Sequence, residues 1–350
     1  MKKLEYFKSL DALRAFAAFG VVAAHYFSKS RMPGHGALHK IFELGNSGVS
    51  LFFVLSGFVI TRILINTAQS PTYFQSFYMR RTLRIFPLYY FSLLLYYMYP
   101  WMIGTSDTIL PITKEKSYFF YYFQNIARTF DWPMEGPLHF WSLAVEEHFY
   151  LFWPAVVYFT LKKGIKSLVA ASIFFYVGSH LLRFYMSAKG YEINVFTFTR
   201  LDQLILGAFV AILELKGKLH AGNNKYFGVL LMVGAIGVAG LELFKMDVIK
   251  ETFKHTFFGF LYMGMILLIV ANGTSILLRK SLQNFVIQFL GKISYGIYVW
   301  HLLAIYLLDH YFKMGVFSGF IIVSSATIVM STASFYLLEA PFLRLKSKFH

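Results

Sequence analysis

The sequence has no cysteine, and charged residues are scarce in it. The absence of cysteine excludes disulfides and cysteine-ligated metal sites. Only 14% of the 350 residues are Asp, Glu, Lys or Arg, whereas an ordinary soluble domain has about 25%. The sequence also has no Walker loop, no G-x-S-x-G elbow and no zinc-spaced histidine pair. These absences weaken ATPase, α/β-hydrolase and metalloprotease interpretations, and we expect no metal.

What the chain has in abundance is apolar and aromatic side chains. Hydrophobic residues make up 57% of it, including 40 Phe and 24 Tyr. A single soluble core of this length could not bury so many, so lipid must solvate many of them. The net charge of +16 invites a nucleic-acid interpretation. The basic residues are spread among apolar segments rather than clustered, however, so we expect no nucleic-acid partner.

The apolar residues fall into runs long enough to cross a bilayer, which needs about 20 residues each. They predict an all-α integral membrane protein, a bundle of about ten transmembrane helices in one domain over residues 1–350. The first run contains Arg14 and His25 and lacks a small-residue cleavage site, so we interpret it as a retained helix. The predicted spans lie near 10–28, 46–66, 84–103, 138–160, 166–187, 197–215, 226–244, 255–272, 292–310 and 316–338.

Orientation follows from the lysines and arginines between the spans. With the N-terminus inside, 19 of them fall on the cytoplasmic side, 11 on the outer side, and three within or at the rim of spans. This favours a multi-pass protein of the cytoplasmic (inner) membrane with both ends inside. The aromatic segment 117–130 is short and polar in places, so we expect it in an outer loop, 104–137, on or dipping into the membrane surface.

Two ionisable residues of the first predicted helix are candidates for function. Arg14 and His25 are 11 residues apart, so they project from one face of a helix and are separated by roughly 16 Å along it. Singly, each has a structural interpretation, as a snorkelling arginine and a packed histidine. Their shared face favours a common polar cavity.

An arginine cluster marks the cytoplasmic start of the third predicted helix. Arg80, Arg81 and Arg84 lie in FYMRRTLRIFP, with Pro87 expected in the first turn. The cluster could be a positive-inside anchor. It could equally be a phosphate clamp, because arginine pairs well with phosphate oxygens.

Two adjacent carboxylates, Glu146 and Glu147, enter the fourth predicted span within HFWSLAVEEHFYLFWP. Adjacent helical residues diverge by about 100°, so we expect one to face the cavity and the other an interface or a partner. A buried carboxylate needs a partner, and we expect a histidine or an arginine. A purely structural ion pair is the alternative.

Three weaker features complete the set. Ser56-Gly57 is a small pair that permits close helix approach. Arg200 and Asp202 open the sixth predicted span, where they could be interfacial. His301 lies within the ninth predicted span, where a packed core histidine is the alternative to function.

Seven segments together resemble the acyltransferase 3 family, in family order and over almost the whole chain. The Arg-x10-His of the first helix matches the family's hallmark, and Ala12 stands where the family commonly has Gly. The segments are LDALRAFAAFGVVAAHYF, GVSLFFVLSGFVITRIL, FYMRRTLRIFPLYY, HFWSLAVEEHFYLFWP, RLDQLILGA, ISYGIYVWHL and EAPFLR.

The resemblance implies transfer of an acyl group, usually acetyl, from cytoplasmic acyl-CoA (acetyl-CoA) to a hydroxyl of an extracytoplasmic carbohydrate or lipid-linked glycan. It implies that His25 is the catalytic histidine and that Arg14, the 80–84 arginines and Glu146 are its functional partners. Arg14, Arg80, Arg81 and Arg84 would bind the CoA. We expect Trp141, Glu147 and His301 to contact the acceptor.

The chemistry of His25 leaves two routes open, a general base on the acceptor hydroxyl or a nucleophile that carries the acyl group. Glu146 could set the tautomer of His25.

Some members of the family that the chain resembles carry a fused esterase-like domain. Because this chain ends after its last helix, we expect the bundle to complete the transfer.

Two other classes of protein compete with the enzyme. A transporter of a lipid-linked sugar or an anion could use His25 and Glu146 as a proton relay, but the inverted repeats that would favour it are not visible. A membrane scaffold would not explain Arg14 together with His25.

Overall fold

The structure, a computed structural model, describes residues 4–27, 36–103, 117–134, 136–241, 247–272 and 280–349. These residues form helices and their connections, with no β-strand among them. The helices are α1 Ser9–Tyr26, α2 Gly36–Glu43, α3 Gly48–Thr67, α4 Tyr73–Ile103, α5 Ser117–Phe120, α6 Gln124–Thr129, α7 Trp141–Lys162, α8 Ile165–Ala188, α9 Thr197–Leu215, α10 Asn224–Leu241, α11 Asp247–Ala271, α12 Phe285–Lys292, α13 Ser294–Tyr311, α14 Val316–Ser334 and α15 Ala340–Leu345.

Each predicted span coincides with one of the long helices. Five apolar helical stretches of the described residues are long enough to cross a membrane: His39–Thr67, Ile165–Ala188, Ala221–Leu241, Ile249–Ala271 and Val316–Lys348. The other long helices, α1, α4, α7, α9 and α13, include those with the polar residues singled out above, which lower their hydropathy. The chain is therefore an all-helical protein with several helices of membrane-spanning character.

Helix α4 begins earlier than its apolar run. It covers 31 residues from Tyr73, so the arginine cluster lies about two to three turns inside it and Pro87 is in its interior. The expectation that Pro87 occupies the first turn is wrong. The reason is that hydropathy detects only the apolar part of a helix, and residues 73–83 add an amphipathic extension.

The aromatic segment 117–130 forms two short helices, α5 and α6, separated by a turn. Tyr122 has a positive φ of 60° at this turn. The Gln124 amide donates to the Phe140 carbonyl at 2.9 Å, and the Asn125 amide donates to the Thr197 hydroxyl at 2.8 Å. Helices of four and six residues are too short to span a bilayer. The segment instead packs against the starts of α7 and α9.

Helices α3 and α9 are in close contact because glycines line their crossing. A Cβ at Gly57 would overlap the Leu204 carbonyl, and one at Gly207 would overlap the Val54 carbonyl. The expected close approach at Ser56-Gly57 is therefore present. It fixes α3, and with it the Ser56 hydroxyl, beside α7.

Arg200 and Asp202, which open the sixth predicted span, are buried in the protein. Asp202 is fully buried and pairs with the buried Arg183 of α8, with 2.7 Å between Oδ1 and Nη2. Arg200 is 2% exposed, and its guanidinium donates to the Gln203 side chain at 2.8 Å. Both side chains lie in the protein interior because α9 is enclosed by α3, α8 and α11. Such charges persist in a core only when paired and hydrogen-bonded.

Candidate active site

A cavity of about 440 Å³ opens among α1, α3, α4, α7, α12, α13 and the C-terminal segment. Both signs of charge meet in its wall. The charged lining side chains are Asp11, Arg14, Arg81, Arg84, Glu146, Glu147, Lys292 and Lys346. The structure thus brings five of the nine predicted site residues to one cavity, and it adds Asp11 and two lysines.

Arg14 is held in the cavity wall by its own helix. Its Nη1 donates to Asp11 Oδ1 at 2.6 Å, an i, i+3 pair. The Tyr6 hydroxyl, just before α1, donates to the other Asp11 oxygen. Burial and this hydrogen bond raise the pKa of Tyr6 to about 12, so it remains a donor. The bond to Asp11 uses one of the five donor hydrogens of the Arg14 guanidinium, which leaves others for a ligand.

Glu146 receives two hydroxyl hydrogen bonds. Ser56 Oγ donates to Oε1 at 2.6 Å, and Tyr150, one turn later on α7, donates to Oε2 at 3.2 Å. Its hydrogen bonds thus come from hydroxyl groups, and no histidine or arginine of the described residues donates to it. Glu146 also does not contact His25, so it does not set the tautomer of that ring by a direct bond.

Glu147 lines the same cavity as Glu146, although the two were expected to diverge. Its Oε1 is buried and has no hydrogen-bond partner among the described residues. A cavity that wraps around part of a helix can be reached by two long side chains about 100° apart. An unpaired carboxylate oxygen in such a wall is available to a ligand.

The other cations of the cavity come from two parts of the chain that are far apart in sequence. Arg81 and Arg84 of α4 line it together with Lys292, at the end of α12, and Lys346, after α15. The Lys292 ammonium lies 4.6 Å from the Phe335 ring centroid. In the described part of the chain none of these four forms a salt bridge. Arg80 is exposed and does not line the cavity.

The predicted histidines meet outside this cavity. His25 Nδ1 lies 2.8 Å from His301 Nε2, and the two rings lie side by side, with their planes 7° apart and their centroids 5.0 Å apart. His301 is fully buried, and its Nδ1 lies 2.7 Å from the Tyr298 carbonyl oxygen. A third ring, His139, packs edge-on against His301 with centroids 4.9 Å apart.

Tyr298 connects the histidines to the cavity. Its side chain lines the cavity, and its hydroxyl lies 2.6 Å from Ser142 Oγ, also in the wall. The same hydroxyl donates to the His139 carbonyl at 2.6 Å. Tyr298, the residue whose carbonyl oxygen lies 2.7 Å from His301 Nδ1, thus also belongs to the cavity wall.

Trp141 packs behind the cavity wall. Its ring meets Phe53, a lining residue, edge to face with centroids 6.0 Å apart, and the Arg200 guanidinium lies 5.4 Å from its centroid. It is partly buried but not itself part of the lining. Among the described residues no group of three or more histidines and carboxylates could hold a metal ion.

Comparison with known proteins relates these features to a family. The family described as "Acyltransferase domain" matches residues 7–339. A protein of Staphylococcus aureus strain COL provisionally named O-acetyltransferase SACOL0978 is 30% identical over 369 residues, covering 97% of this chain and 58% of its own length. O-acetyltransferase OatA of strain NCTC 8325 / PS 47 is 26% identical over 357 residues. The match covers 96% of this chain and 57% of the length of OatA. No solved structure matches.

The chain therefore spans somewhat more than half the length of these curated relatives. The family match, by contrast, covers nearly the whole chain, from before α1 to the π-helical turn Phe335–Glu339 that follows α14. It includes the first-helix Arg14 and His25 and every charged cavity residue except Lys346. The chain belongs to the acyltransferase 3 family.

Proposed function

We propose that the protein is an O-acetyltransferase, which moves an acetyl group from cytoplasmic acetyl-CoA to a hydroxyl of an extracytoplasmic glycan. Family membership supports acyl transfer, and the names of the relatives support acetyl as the group and oxygen as its acceptor. The acceptor would be a carbohydrate or lipid-linked glycan of the cell envelope.

The observation that carries the donor assignment is the cation cluster of the cavity. All five cations, Arg14, Arg81, Arg84, Lys292 and Lys346, line the cavity, and only Arg14 has a carboxylate partner within the described residues. Unpaired cations that converge on a cavity favour a polyanionic ligand. The phosphates of CoA have this character, and arginine suits them especially.

The sidedness of the reaction is part of the proposal. Ten spans with both termini in the cytoplasm would put the arginines of α4 and the lysine at the chain's end on the side where acyl-CoA is made. CoA would occupy the cavity, with Arg80 adding positive charge at its mouth. The acceptor would arrive from the opposite side, near α5 and α6, where Trp141, Glu147 and His301 were expected to contact it.

The chemistry would take place at His25. As a general base, one ring nitrogen takes the proton of the acceptor hydroxyl while its oxygen attacks the thioester carbonyl. The C–S bond breaks, and the CoA thiolate receives the proton from the ring. In the nucleophilic route the ring nitrogen attacks the thioester carbonyl, the C–S bond breaks and the CoA thiolate leaves. The acceptor oxygen then attacks the acyl carbon, the C–N bond breaks, and the hydroxyl proton ends on the CoA thiolate. The products, an ester and free CoA, are the same.

Turnover of acetyl-CoA by purified protein in lipid nanodiscs tests the proposal. Released CoA is read with a thiol reagent, and the chain has no cysteine to contribute background. We expect CoA release to depend on added envelope glycan and His25→Ala to lose more than nine-tenths of it. His310→Gln, an exposed histidine of α13, is the matched control. Binding without CoA release, or an active His25→Ala, would overturn the proposal.

A further inference from the structure

The hydrogen bonds around His301 determine which nitrogen of His25 carries a proton. The Tyr298 carbonyl oxygen can only accept a hydrogen bond, so His301 Nδ1, 2.7 Å away, must carry a hydrogen. A neutral imidazole has one protonated and one unprotonated nitrogen. In neutral His301, therefore, Nε2 has a lone pair and accepts.

The donor to that lone pair is His25. Its Nδ1 lies 2.8 Å from His301 Nε2, so Nδ1 must carry the hydrogen of this bond. No carboxylate of the described residues hydrogen-bonds to either ring. His301 is buried and His25 partly buried, and without a counter-charge such surroundings favour the neutral form of both rings. Neutral His25 then has its second nitrogen, Nε2, unprotonated.

We infer that His301 is the positioning residue for His25, which it holds in the Nδ1–H tautomer so that Nε2 is the reactive atom. This role differs from the acceptor contact expected from the sequence, and His301 is fully buried and outside the cavity lining. The inference rests on the proposed function for the reaction itself. It applies equally to both routes, because a base and a nucleophile each need the lone pair of Nε2.

The surroundings of His301 suit a fixed ring. His139 packs against it edge-on, and the Tyr298 hydroxyl bonds to the His139 carbonyl at 2.6 Å. Tyr298 therefore holds His301 through its backbone and His139 through its side chain. Locking the rotamers of the supporting residues is what preorganises a reactive group.

The tautomer is measured directly by two-bond ¹⁵N–¹H correlation spectra of protein labelled in its 11 histidines. The His25 resonances are identified by their loss in His25→Gln. We expect protonated Nδ1 and unprotonated Nε2 in wild type, and a mixture of tautomers in His301→Leu. A wild-type His25 protonated at Nε2 would overturn the inference.

Kinetics test the consequence with a pair of variants. His301→Leu cannot accept from His25, whereas the amide oxygen of His301→Gln can. Loss of the group that fixes the tautomer of a catalytic histidine lowers kcat by roughly 10⁴-fold in serine proteases. We expect a kcat loss of about a hundredfold or more for His301→Leu with KM for acetyl-CoA unchanged, and a much smaller loss for His301→Gln. Equal kcat losses in the two variants, or a change confined to KM, would contradict the positioning role of His301.

The spectra do not require turnover, so the two proposals fail separately. An Nδ1–H tautomer in a protein that does not turn over acetyl-CoA would overturn the proposed function and support the hydrogen-bond assignment. An active protein with the opposite tautomer would overturn only the assignment.

Discussion

Ser56 of α3 and Glu146 of α7 are joined by a hydrogen bond of 2.6 Å, donated by the serine hydroxyl to the carboxylate in the cavity wall. The bond depends on the close crossing of α3 with α9, which fixes the position of α3. It gives Ser56, which sequence alone suggested only as a small packing residue, a direct connection to the candidate site.

Removing this hydroxyl should affect the reaction more than the fold. We expect Ser56→Ala to lower kcat about tenfold or more, because a hydrogen bond to a charged group contributes about 1.5–3 kcal/mol. Tyr150→Phe should lower it less, since its bond is longer at 3.2 Å. CoA release at saturating acetyl-CoA measures the effect. Ser172→Ala is the control, since Ser172 is buried and its hydroxyl donates to the Leu168 carbonyl of its own helix. Equal rates for Ser56→Ala and Ser172→Ala would contradict the prediction.

The cavity cations should determine the affinity for the donor. We expect Arg81→Gln, Arg84→Gln and Lys346→Gln each to raise KM for acetyl-CoA, the arginines roughly ten- to a hundredfold, because each would lose a charge-assisted contact of about 1.5–3 kcal/mol. Exposed Arg80, outside the lining, should give a smaller increase.

The KM series needs a control for the general loss of positive charge. Lys163→Gln removes an exposed cation at the end of α7 that lies outside the cavity. If all the variants raised KM by the same factor as Lys163→Gln, the cavity cations would serve only as topology anchors.

The glycine contact between α3 and α9 should limit stability. A methyl group at Gly57 would overlap the Leu204 carbonyl, and overpacking of this kind typically costs 1–3 kcal/mol. We expect Gly57→Ala to lower the melting temperature in detergent by several degrees. The control is Gly178→Ala in α8, where nothing lies within 4 Å of the added carbon. This change should leave the melting temperature unchanged or raise it slightly. An unchanged melting temperature in Gly57→Ala would show that the helices can separate freely.

The positions of the long helices were predictable because apolar runs of bilayer length leave few alternatives. The start of α4 was not predictable in this way, because residues 73–83 form an amphipathic extension that hydropathy does not detect. A search for helical periodicity upstream of the apolar run would have found it.

The site was predictable only in its residue types. Arg14, Arg81 and Glu146 stood out because ionisable groups are rare in apolar segments. The partner of His25 lies 276 residues away, and no local pattern in one sequence indicates such a contact. Ser56 and Lys346 were missed for a related reason, because a serine in an apolar helix and a lysine near a chain end are both ordinary.

The sidedness of the protein can be tested with introduced cysteines, because the native chain has none. Ser117, exposed at the start of α5, belongs to the segment proposed to lie outside, and Lys163, exposed after α7, to a cytoplasmic turn. On intact cells we expect Ser117→Cys to react with a membrane-impermeant maleimide and Lys163→Cys to react only after permeabilisation. The reason is that a single crossing, α7, separates the two positions. If Lys163→Cys reacted from outside, the arginines of α4 would face away from the cytoplasmic acyl-CoA pool, and the donor could not enter the cavity as proposed.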